Sequence, residues 1–188
     1  MVKLAKIYTR GGDGGSSGLV DGSRLSKSDA RFDAIGDIDE ANAAIGLARV
    51  AVEEDSASDR FLADVQNDLF DLGADLATPG EIEGALRLSE GRSGALEAEI
   101  DALSAKLGPL TSFVLPGGSE AAARLHMART QVRRAERTVV KLNTEKSLNP
   151  EILRYINRLS DLLFQLARIE NNVGKDDVLW KPGGNASS

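Results

Sequence analysis

The sequence contains no cysteine, which excludes disulfide bonds, thiolate nucleophiles and zinc sites with sulfur ligands. It also contains a single histidine, His126, without the Glu-x-x-His or His-x-x-x-His pairing of di-iron and zinc helices. We therefore expect His126 to be a packed histidine and not a metal ligand. The absence of cysteine is typical of a reducing compartment, and we expect a cytoplasmic protein.

Aromatic residues make up only 4% of the chain, whereas leucine and alanine are abundant, and this bias favours helices over a β-sandwich. No apolar run approaches the roughly 20 residues that cross a bilayer, and the N-terminus lacks the apolar core of a signal peptide. We therefore expect no membrane insertion. The net charge of −6 argues against a nucleic-acid partner, which would normally require a basic surface.

Apolar residues recur at helical spacing in five segments that are bounded by capping residues, glycine and proline. The predicted helices span residues 29–53, 57–77, 93–107, 119–145 and 149–173. We expect helix caps at Ser28 or Asp29, at Ser119 and at Asn149. The sequence thus predicts one all-α domain, residues 1–188. It would be an antiparallel five-helix bundle (29–173) with a glycine-rich non-helical arm (1–28) and a C-terminal tail (174–188).

The arm is the first candidate for ligand binding. A β-prone piece, residues 6–9, precedes the glycine-rich residues 11–18, which match neither the ending of a P-loop nor the third glycine of a dinucleotide fingerprint. A flexible terminus is one interpretation. The other is a phosphate site, in which backbone amides between glycines are joined by polar side chains. The side chains in question are those of Thr9, Asp13, Ser16, Ser17 and Lys27.

A charged stripe on the fourth predicted helix is the second candidate. Its members, spaced so that they share one helix face, are Arg129, Arg133, Glu136 and Arg137. The stripe is either a solvated face with local ion pairs or a polyphosphate site, for which repeated arginine is suited by its bidentate geometry.

Two other helices carry polar candidates. On the last predicted helix, Asn157 is the candidate functional residue. Asp39 on the first helix is either exposed beside Glu40 or paired with a cation such as Arg129. No catalytic triad can be assigned, so any reaction would depend on positioning and charge stabilisation.

Six features in register resemble the PduO-type ATP:cob(I)alamin adenosyltransferases, and the resemblance covers nearly the whole chain. They are Lys6-Ile-Tyr-Thr-Arg-Gly-Gly-Asp-Gly-Gly-Ser-Ser17 with Lys27, Gly36-Asp-Ile-Asp-Glu-Ala-Asn42, Phe113-Val-Leu-Pro-Gly-Gly118, Ala128-Arg-Thr-Gln-Val-Arg-Arg-Ala-Glu-Arg137, Asn157-Arg-Leu-Ser-Asp161 and Trp180-Lys-Pro182. The chain departs from the family pattern at Ala41, where leucine is usual, and at Ser17, where threonine is frequent. The resemblance implies a homotrimer of five-helix bundles. Each bundle would bind ATP between adjacent subunits and transfer its 5′-deoxyadenosyl group to the cobalt of cob(I)alamin, releasing triphosphate.

The resemblance also implies roles for individual residues. The phosphates, with bridging Mg²⁺, would be bound by Thr9, Arg10, Gly11, Gly12, Ser17, Gly18 and Lys27. Arg133 and Arg137 would stabilise the leaving triphosphate, and the nucleotide would also contact Arg134, Ala135, Glu136 and Asn157. Asp39 and Arg129 would form a pair between subunits on the cobalamin side. Phe113 would lie under the corrin and keep the lower axial ligand off the cobalt.

Two other functions remain open at this point. A non-catalytic trimer could sense nucleotide or carry cobalamin, or the bundle could be purely structural. For the enzyme we expect a cobalamin reductase and an adenosylcobalamin-dependent enzyme as partners. The tail around Trp180 is either disordered or closes over the corrin.

Overall fold

A computed structural model describes residues 7–184 and confirms the all-α prediction. The helices are α1 (Ala30–Arg49), α2 (Ala57–Leu76), α3 (Arg92–Ser104), α4 (Glu120–Glu145) and α5 (Pro150–Ile169). The predicted helices extend a few residues too far at some C-terminal ends, because apolar residues continue into the following turns. Val52, for example, is buried in the core although it lies beyond the end of α1.

Side-chain caps begin four of the helices, as their sequences indicate. Of the two candidates before α1, Asp29 is the cap and accepts a hydrogen bond from the backbone N–H of Arg31. Ser119 caps α4 and Asn149 caps α5, where Pro150 occupies the first turn without losing a helical hydrogen bond.

The start of α3 is different, because its N-cap position is Gly91 and carries no side-chain cap. A hydrogen-bond acceptor for the first turn of α3 comes instead from another helix. The carboxylate of Glu151 on α5 accepts a hydrogen bond of 2.7 Å from the backbone N–H of Ser93. This contact links the N-terminal ends of α3 and α5.

Consecutive helices alternate in direction, as predicted. The helix α1 packs between α2 and α4, α5 packs against α4, and α3 packs against α5. Contacts of Arg31 with Leu76 and of Arg49 with Asp59 show that α1 and α2 are antiparallel. The two odd-numbered helices α3 and α5 are neighbours and run parallel, since Ser104 near the end of α3 bonds to Gln165 near the end of α5.

Leucine, isoleucine and alanine from all five helices form the core. The apolar face of α4 is fully buried there, and its members are Leu125, Ala128, Val132, Ala135 and Val139. The largest buried side chain, Tyr155, donates its hydroxyl hydrogen to Asp68 at 2.9 Å, and Asp68 in turn pairs with Arg92. The buried hydroxyl of Tyr155 therefore has a hydrogen-bond partner, as buried polar groups in proteins generally do.

The arm differs from its prediction. Lys6 of the β-prone piece lies outside the described residues, and residues 7–9 form no strand. The strands are instead β1 (Ser16–Gly18) and β2 (Arg24–Ser26), paired antiparallel with Ser17 opposite Leu25. The N–H of Val20 in the connecting turn donates to the carbonyl of Ala77, just after α2. This bond fastens the hairpin to the bundle.

Two segments predicted as loop and tail also have defined contacts. In the loop before α3, Leu88 is buried and its N–H donates to the carboxylate of Asp75. In the tail, Leu179 forms an isolated β-bridge with Val114. Across residues 7–184, no helix has the length and apolar character needed to cross a membrane.

Candidate functional site

Two grooves flank α4, and the arginines predicted as one stripe are divided between them. The first groove, the α1–α4 groove, has a volume of about 620 Å³ and is lined by Ala30, Phe32, Asp33, Gly36, Asp37, Arg134, Arg137, Thr138 and Lys141. The second, the Phe113 groove, has a volume of about 670 Å³ and is lined by Leu110, Thr111, Ser112, Phe113, Arg129, Arg133, Ser160, Asp161, Phe164 and Trp180. Arginines on successive turns of one helix thus line two neighbouring concave surfaces.

In the α1–α4 groove, carboxylates of α1 hold Arg134. Its Nε lies 3.2 Å from Asp37 Oδ1, and its guanidinium also pairs with Glu40. Thr138 donates its hydroxyl hydrogen to the other oxygen of Asp37. Arg137 and Lys141 add further positive charge on the α4 wall of the groove. Asp37 and Thr138 were not predicted as site residues, because their pairing joins elements far apart in the sequence.

Glu136 and Asn157, both predicted to contact the nucleotide, are brought together between α4 and α5. Asn157 Nδ2 donates to Glu136 at 2.8 Å, and Asn157 Oδ1 accepts from Arg158 at 2.5 Å. Arg158 also pairs with Glu97 on α3 at 2.8 Å. The side-chain orientation of Asn157 is therefore fixed by contacts that involve three helices. Arg158 belongs to the motif quoted from the sequence, whereas Glu97 is a supporting residue that sequence reasoning missed.

Ala135, also predicted among the nucleotide contacts, is fully buried in the core. Its methyl group has no exposed surface to offer a ligand, because it belongs to the apolar face of α4. The contact predicted for this residue is therefore not supported for its side chain.

The Phe113 groove has an aromatic wall and a cationic wall. Phe113 is 76% exposed although it is a large apolar side chain. The ring of Trp180 lies against it in a tilted arrangement, with 6.1 Å between the ring centroids. Arg129 and Arg133 from α4 line the same groove. Such a groove suits a broad, flat apolar molecule next to a negatively charged one.

His126 is buried and Arg129 is partly buried beside this groove. Burial, followed by the nearby positive charge of Arg133, lowers the pKa of Arg129, and its Nε has no hydrogen-bond partner within residues 7–184. Burial, followed by the charge of Arg129, also lowers the pKa of His126 below its ordinary value of 6.5. His126 is therefore neutral near pH 7 and packs its ring against Phe164, which confirms the prediction of a packed histidine.

Asp39 is exposed on α1, next to the exposed Glu40. It is Glu40 that pairs with an arginine of the same chain, namely Arg134. The subunit-joining pair of Asp39 with Arg129 therefore remains a prediction about neighbouring copies of the chain.

In the arm, the structure brings four of the predicted phosphate-binding residues, Thr9, Gly11, Gly12 and Lys27, close together, while Ser17 and Gly18 lie in β1. The N–H of Gly11 bonds to Thr9 Oγ1 at 3.4 Å, and a Cβ added to Gly12 would lie 3.0 Å from Lys27 Nζ. Arg24 is the organising residue that sequence reasoning missed. Its guanidinium donates to the carbonyl of Gly11 at 2.6 Å and to the carbonyl of Ser16 at 2.9 Å.

The backbone of this turn is left-handed at two positions. Arg10 has a left-handed backbone (φ 61°), a conformation that costs energy in a non-glycine residue. Gly15 also has a positive φ of 77°. The ammonium group of Lys27 lies beside the backbone of Gly12 in this turn, and a cation at that position is suited to phosphate. Among residues 7–184, no group of three or more histidine, aspartate or glutamate side chains is placed to hold a metal ion.

Comparison with known proteins agrees with this geometry. The sequence profile of the family "Cobalamin adenosyltransferase" matches residues 7–170. The corrinoid adenosyltransferase of Mycobacterium tuberculosis is 48% identical over 192 residues, which cover 100% of this chain and 98% of that protein. The corrinoid adenosyltransferase of Bacillus subtilis is 43% identical over 169 residues, covering 88% and 86% of the two chains.

Solved structures give the same result. One is a phenylalanine-to-alanine variant of the PduO-type ATP:corrinoid adenosyltransferase from Lactobacillus reuteri, complexed with cobalamin and ATP. It superposes with a TM-score of 0.87 at 37% identity, covering 94% of this chain and 99% of that one. From its sequence, its five-helix fold and the two grooves beside α4, the chain belongs to the cobalamin adenosyltransferase family.

Proposed function

We propose that this protein transfers the 5′-deoxyadenosyl group of ATP to the cobalt of cob(I)alamin, giving adenosylcobalamin and triphosphate. The observation that carries the proposal is the Phe113 groove, where exposed aromatic rings face Arg129 and Arg133. The flat corrin suits the aromatic side, and the phosphates of ATP suit the arginines. The relative from Lactobacillus reuteri was solved with both cobalamin and ATP, which supports the same pair of substrates here.

The reaction needs no nucleophile from the protein, because reduced cobalamin supplies it. The electron pair of Co(I) forms the bond to C5′ of ATP. The bond from C5′ to the phosphate oxygen breaks, and its electron pair leaves with triphosphate. Arg133 and Arg137 stabilise the charge that builds on this leaving group. The backbone carbonyl of Arg133 accepts a hydrogen bond from the guanidinium of Arg137, which holds the Arg137 side chain against the preceding turn of α4.

The remaining residues position the two substrates. The turn of Thr9 to Gly12 with Lys27 would bind the phosphates, and Mg²⁺ bound with ATP would offset part of their negative charge. Arg134, Glu136 and Asn157 help to hold the nucleotide. Phe113 lies under the corrin and displaces the lower axial ligand, since a four-coordinate cobalt centre is easier to reduce to Co(I).

We further propose a homotrimer with ATP bound between adjacent subunits, working in the cytoplasm beside a reductase that supplies Co(I). The exposure of Asp39 supports this assembly, as does the partly buried Arg129, whose Nε has no partner within the described chain. In a trimer, the carboxylate of Asp39 from a neighbouring subunit would be the partner of Arg129. Adenosylcobalamin then passes to an enzyme that depends on it.

Replacement of Arg133 by alanine tests the proposed chemistry. We expect Arg133→Ala to lower kcat by at least roughly 100-fold, because a donor to the developing charge is lost. The measurement follows the visible spectrum of chemically reduced cobalamin with ATP and Mg²⁺, from loss of Co(I) to formation of adenosylcobalamin. Arg60→Ala, at an exposed arginine of α2, serves as the control and should retain full activity.

Each outcome of this assay decides between functions. Conversion by the unmodified protein with normal turnover in Arg133→Ala would disprove the role of this arginine. No conversion by the unmodified protein, with ATP binding shown separately, would instead favour the non-catalytic sensor or carrier.

A further inference from the structure

The C-terminal tail is attached to the bundle by a buried ion pair. Arg168 Nε on α5 lies 2.8 Å from Asp177 Oδ2 in the tail, and the two side chains are only 7% and 5% exposed. The second oxygen of Asp177 accepts a hydrogen bond of 3.1 Å from Asn171 Nδ2. Between these residues the chain turns back at Gly174, which has a φ of 77°. The carboxylate of Asp177 is therefore used on both oxygens.

A buried ion pair is weak evidence for stability, because removing two charges from water offsets much of their attraction. Its geometry does fix one arrangement of the segments that it joins. Arg168 joins a third segment as well, since its Nη2 donates to the carbonyl of Gly108 at 3.1 Å. Gly108 begins the connection that leads to Phe113. One guanidinium thus holds both the tail and the start of the Phe113 loop.

Immediately after Asp177 the tail pairs with the loop around Phe113. The N–H of Leu115 donates to the carbonyl of Val178 at 2.8 Å, and the N–H of Trp180 donates to the carbonyl of Phe113 at 2.7 Å. The hydroxyl of Ser112 donates to the carbonyl of Trp180 at 2.7 Å. These bonds place the indole ring against the phenyl ring.

Phe113 cannot be positioned by core packing, because 76% of its surface is exposed. Its defined contacts are with the tail: a backbone hydrogen bond to Trp180 and the ring contact with the same residue. The position of Phe113 therefore depends on where the tail is held.

We propose that the Arg168–Asp177 pair is a latch that positions Phe113 in its groove, which makes Asp177 a positioning residue for the cobalamin side of the reaction. The proposal rests on the function proposed above and adds a residue outside both grooves that supports it. Without the latch, the tail strand leaves the loop and Phe113 loses its support. The alignment of the corrin suffers, while the phosphate-binding turn and Arg137 are untouched.

The test compares Asp177→Asn with Asp176→Asn, the same change at the neighbouring exposed aspartate. We expect Asp177→Asn to lower kcat/KM for cobalamin roughly 10- to 100-fold, because small misplacements at a reacting centre have effects of this size. The dissociation constant for ATP should stay within about twofold, since no phosphate contact changes. Asp177→Glu, which keeps the charge, should recover part of the loss, and Asp176→Asn should behave as the unmodified protein.

Two further readouts do not require turnover. Trp180 is the only tryptophan, so its fluorescence reports release of the tail, and we expect a red-shifted emission in Asp177→Asn. The fraction of four-coordinate cob(II)alamin in the presence of ATP, measured by electron paramagnetic resonance, should fall. Trp180→Gly removes the tail's ring contact without leaving a buried charge, and it should lower the same fraction if Asp177→Asn fails to fold.

If the Trp180 emission shifts but kcat/KM for cobalamin and the four-coordinate fraction stay unchanged, the proposed role of the Arg168–Asp177 pair is wrong. An unshifted emission in Asp177→Asn would also disprove it. Absence of adenosylation in the unmodified protein would be a separate result. It would contradict the proposed function, while the fluorescence would still report whether Asp177 holds the tail.

Discussion

Buried acidic side chains in this bundle each have several partners that lie on different elements. Asp75 accepts from Arg87, from the N–H of Leu88 and from Asn149, and so joins α2, the following loop and the start of α5. Glu151 joins α5 to the start of α3. Each of these carboxylates therefore accepts hydrogen bonds from more than one element and acts as a junction between them.

Glu151 gives a pH-dependent test of such a junction. Burial raises its pKa, but the N–H of Ser93 and the side chain of Arg154 lower it further, so the pKa is below its ordinary value of 4.5. The stabilisation that the charged Glu151 contributes is therefore complete above pH 4.5. It is lost as the pH falls through the lower pKa that Glu151 has in the folded protein. We expect Glu151→Gln to reduce the free energy of unfolding near neutral pH by about 1.5–3 kcal/mol, the usual range for hydrogen bonds to a charged group.

Urea denaturation over a series of pH values measures this effect. The difference between the unmodified protein and Glu151→Gln should shrink as the pH falls below 4.5. Glu99→Gln, the same change at a partly exposed position of α3, is the matched control and should differ little from the unmodified protein at any pH. A deficit that stays constant with pH would show that the charge of Glu151 is not what stabilises α3.

At the scale of elements, Gly12 in the arm is important for the space that it leaves to a neighbouring side chain and not for its backbone conformation. Gly12 has no left-handed φ, yet a Cβ there would press on Lys27 Nζ at 3.0 Å. The end of a lysine side chain moves easily, so the fold should tolerate the extra methyl group. What it should change is the position of the ammonium group relative to bound phosphate.

We therefore expect Gly12→Ala to weaken ATP binding several-fold, on the order of 1 kcal/mol, without lowering the melting temperature. Gly14→Ala is a close control in the same turn, because a Cβ at Gly14 meets no atom within 4 Å. Calorimetric titration with ATP compares the two variants. Equal ATP affinities for both would argue against Lys27 as a phosphate ligand.

The helices were predictable from sequence, while the contacts between elements were not. Apolar residues at helical spacing and the caps Ser119 and Asn149 are local signals, and all five helices are confirmed. The hairpin strands are three residues long, which is too short for an alternating apolar pattern to be recognised in the sequence. Arg24 and Asp177 act through partners that are distant in sequence or lie in an irregular segment, so no spacing rule indicates them.

At the scale of the whole molecule, the described chain exposes apolar side chains that bear on the proposed trimer. Large apolar side chains are exposed on two adjacent helices: Leu47 and Val50 at the end of α1, and Met127 and Val140 on α4. Exposed apolar residues of this kind mark interaction surfaces when they are grouped. In the proposed ring of three copies, each groove of one copy would meet a neighbour, so that arm and arginines come from different chains.

Reversing the charge of Asp39 tests that assembly. If Asp39 of one copy pairs with the partly buried Arg129 of the next, Asp39→Arg places two cations together. The guanidinium of Arg129 is partly buried, so water cannot fully offset this repulsion. We expect sedimentation velocity to show a trimer for the unmodified protein and dissociation toward monomers for Asp39→Arg. Asp101→Arg, at an exposed position of α3, should remain trimeric. A variant at Asp39 that still sediments as a trimer would remove this pair from the interface, and a monomeric unmodified protein would remove the trimer itself.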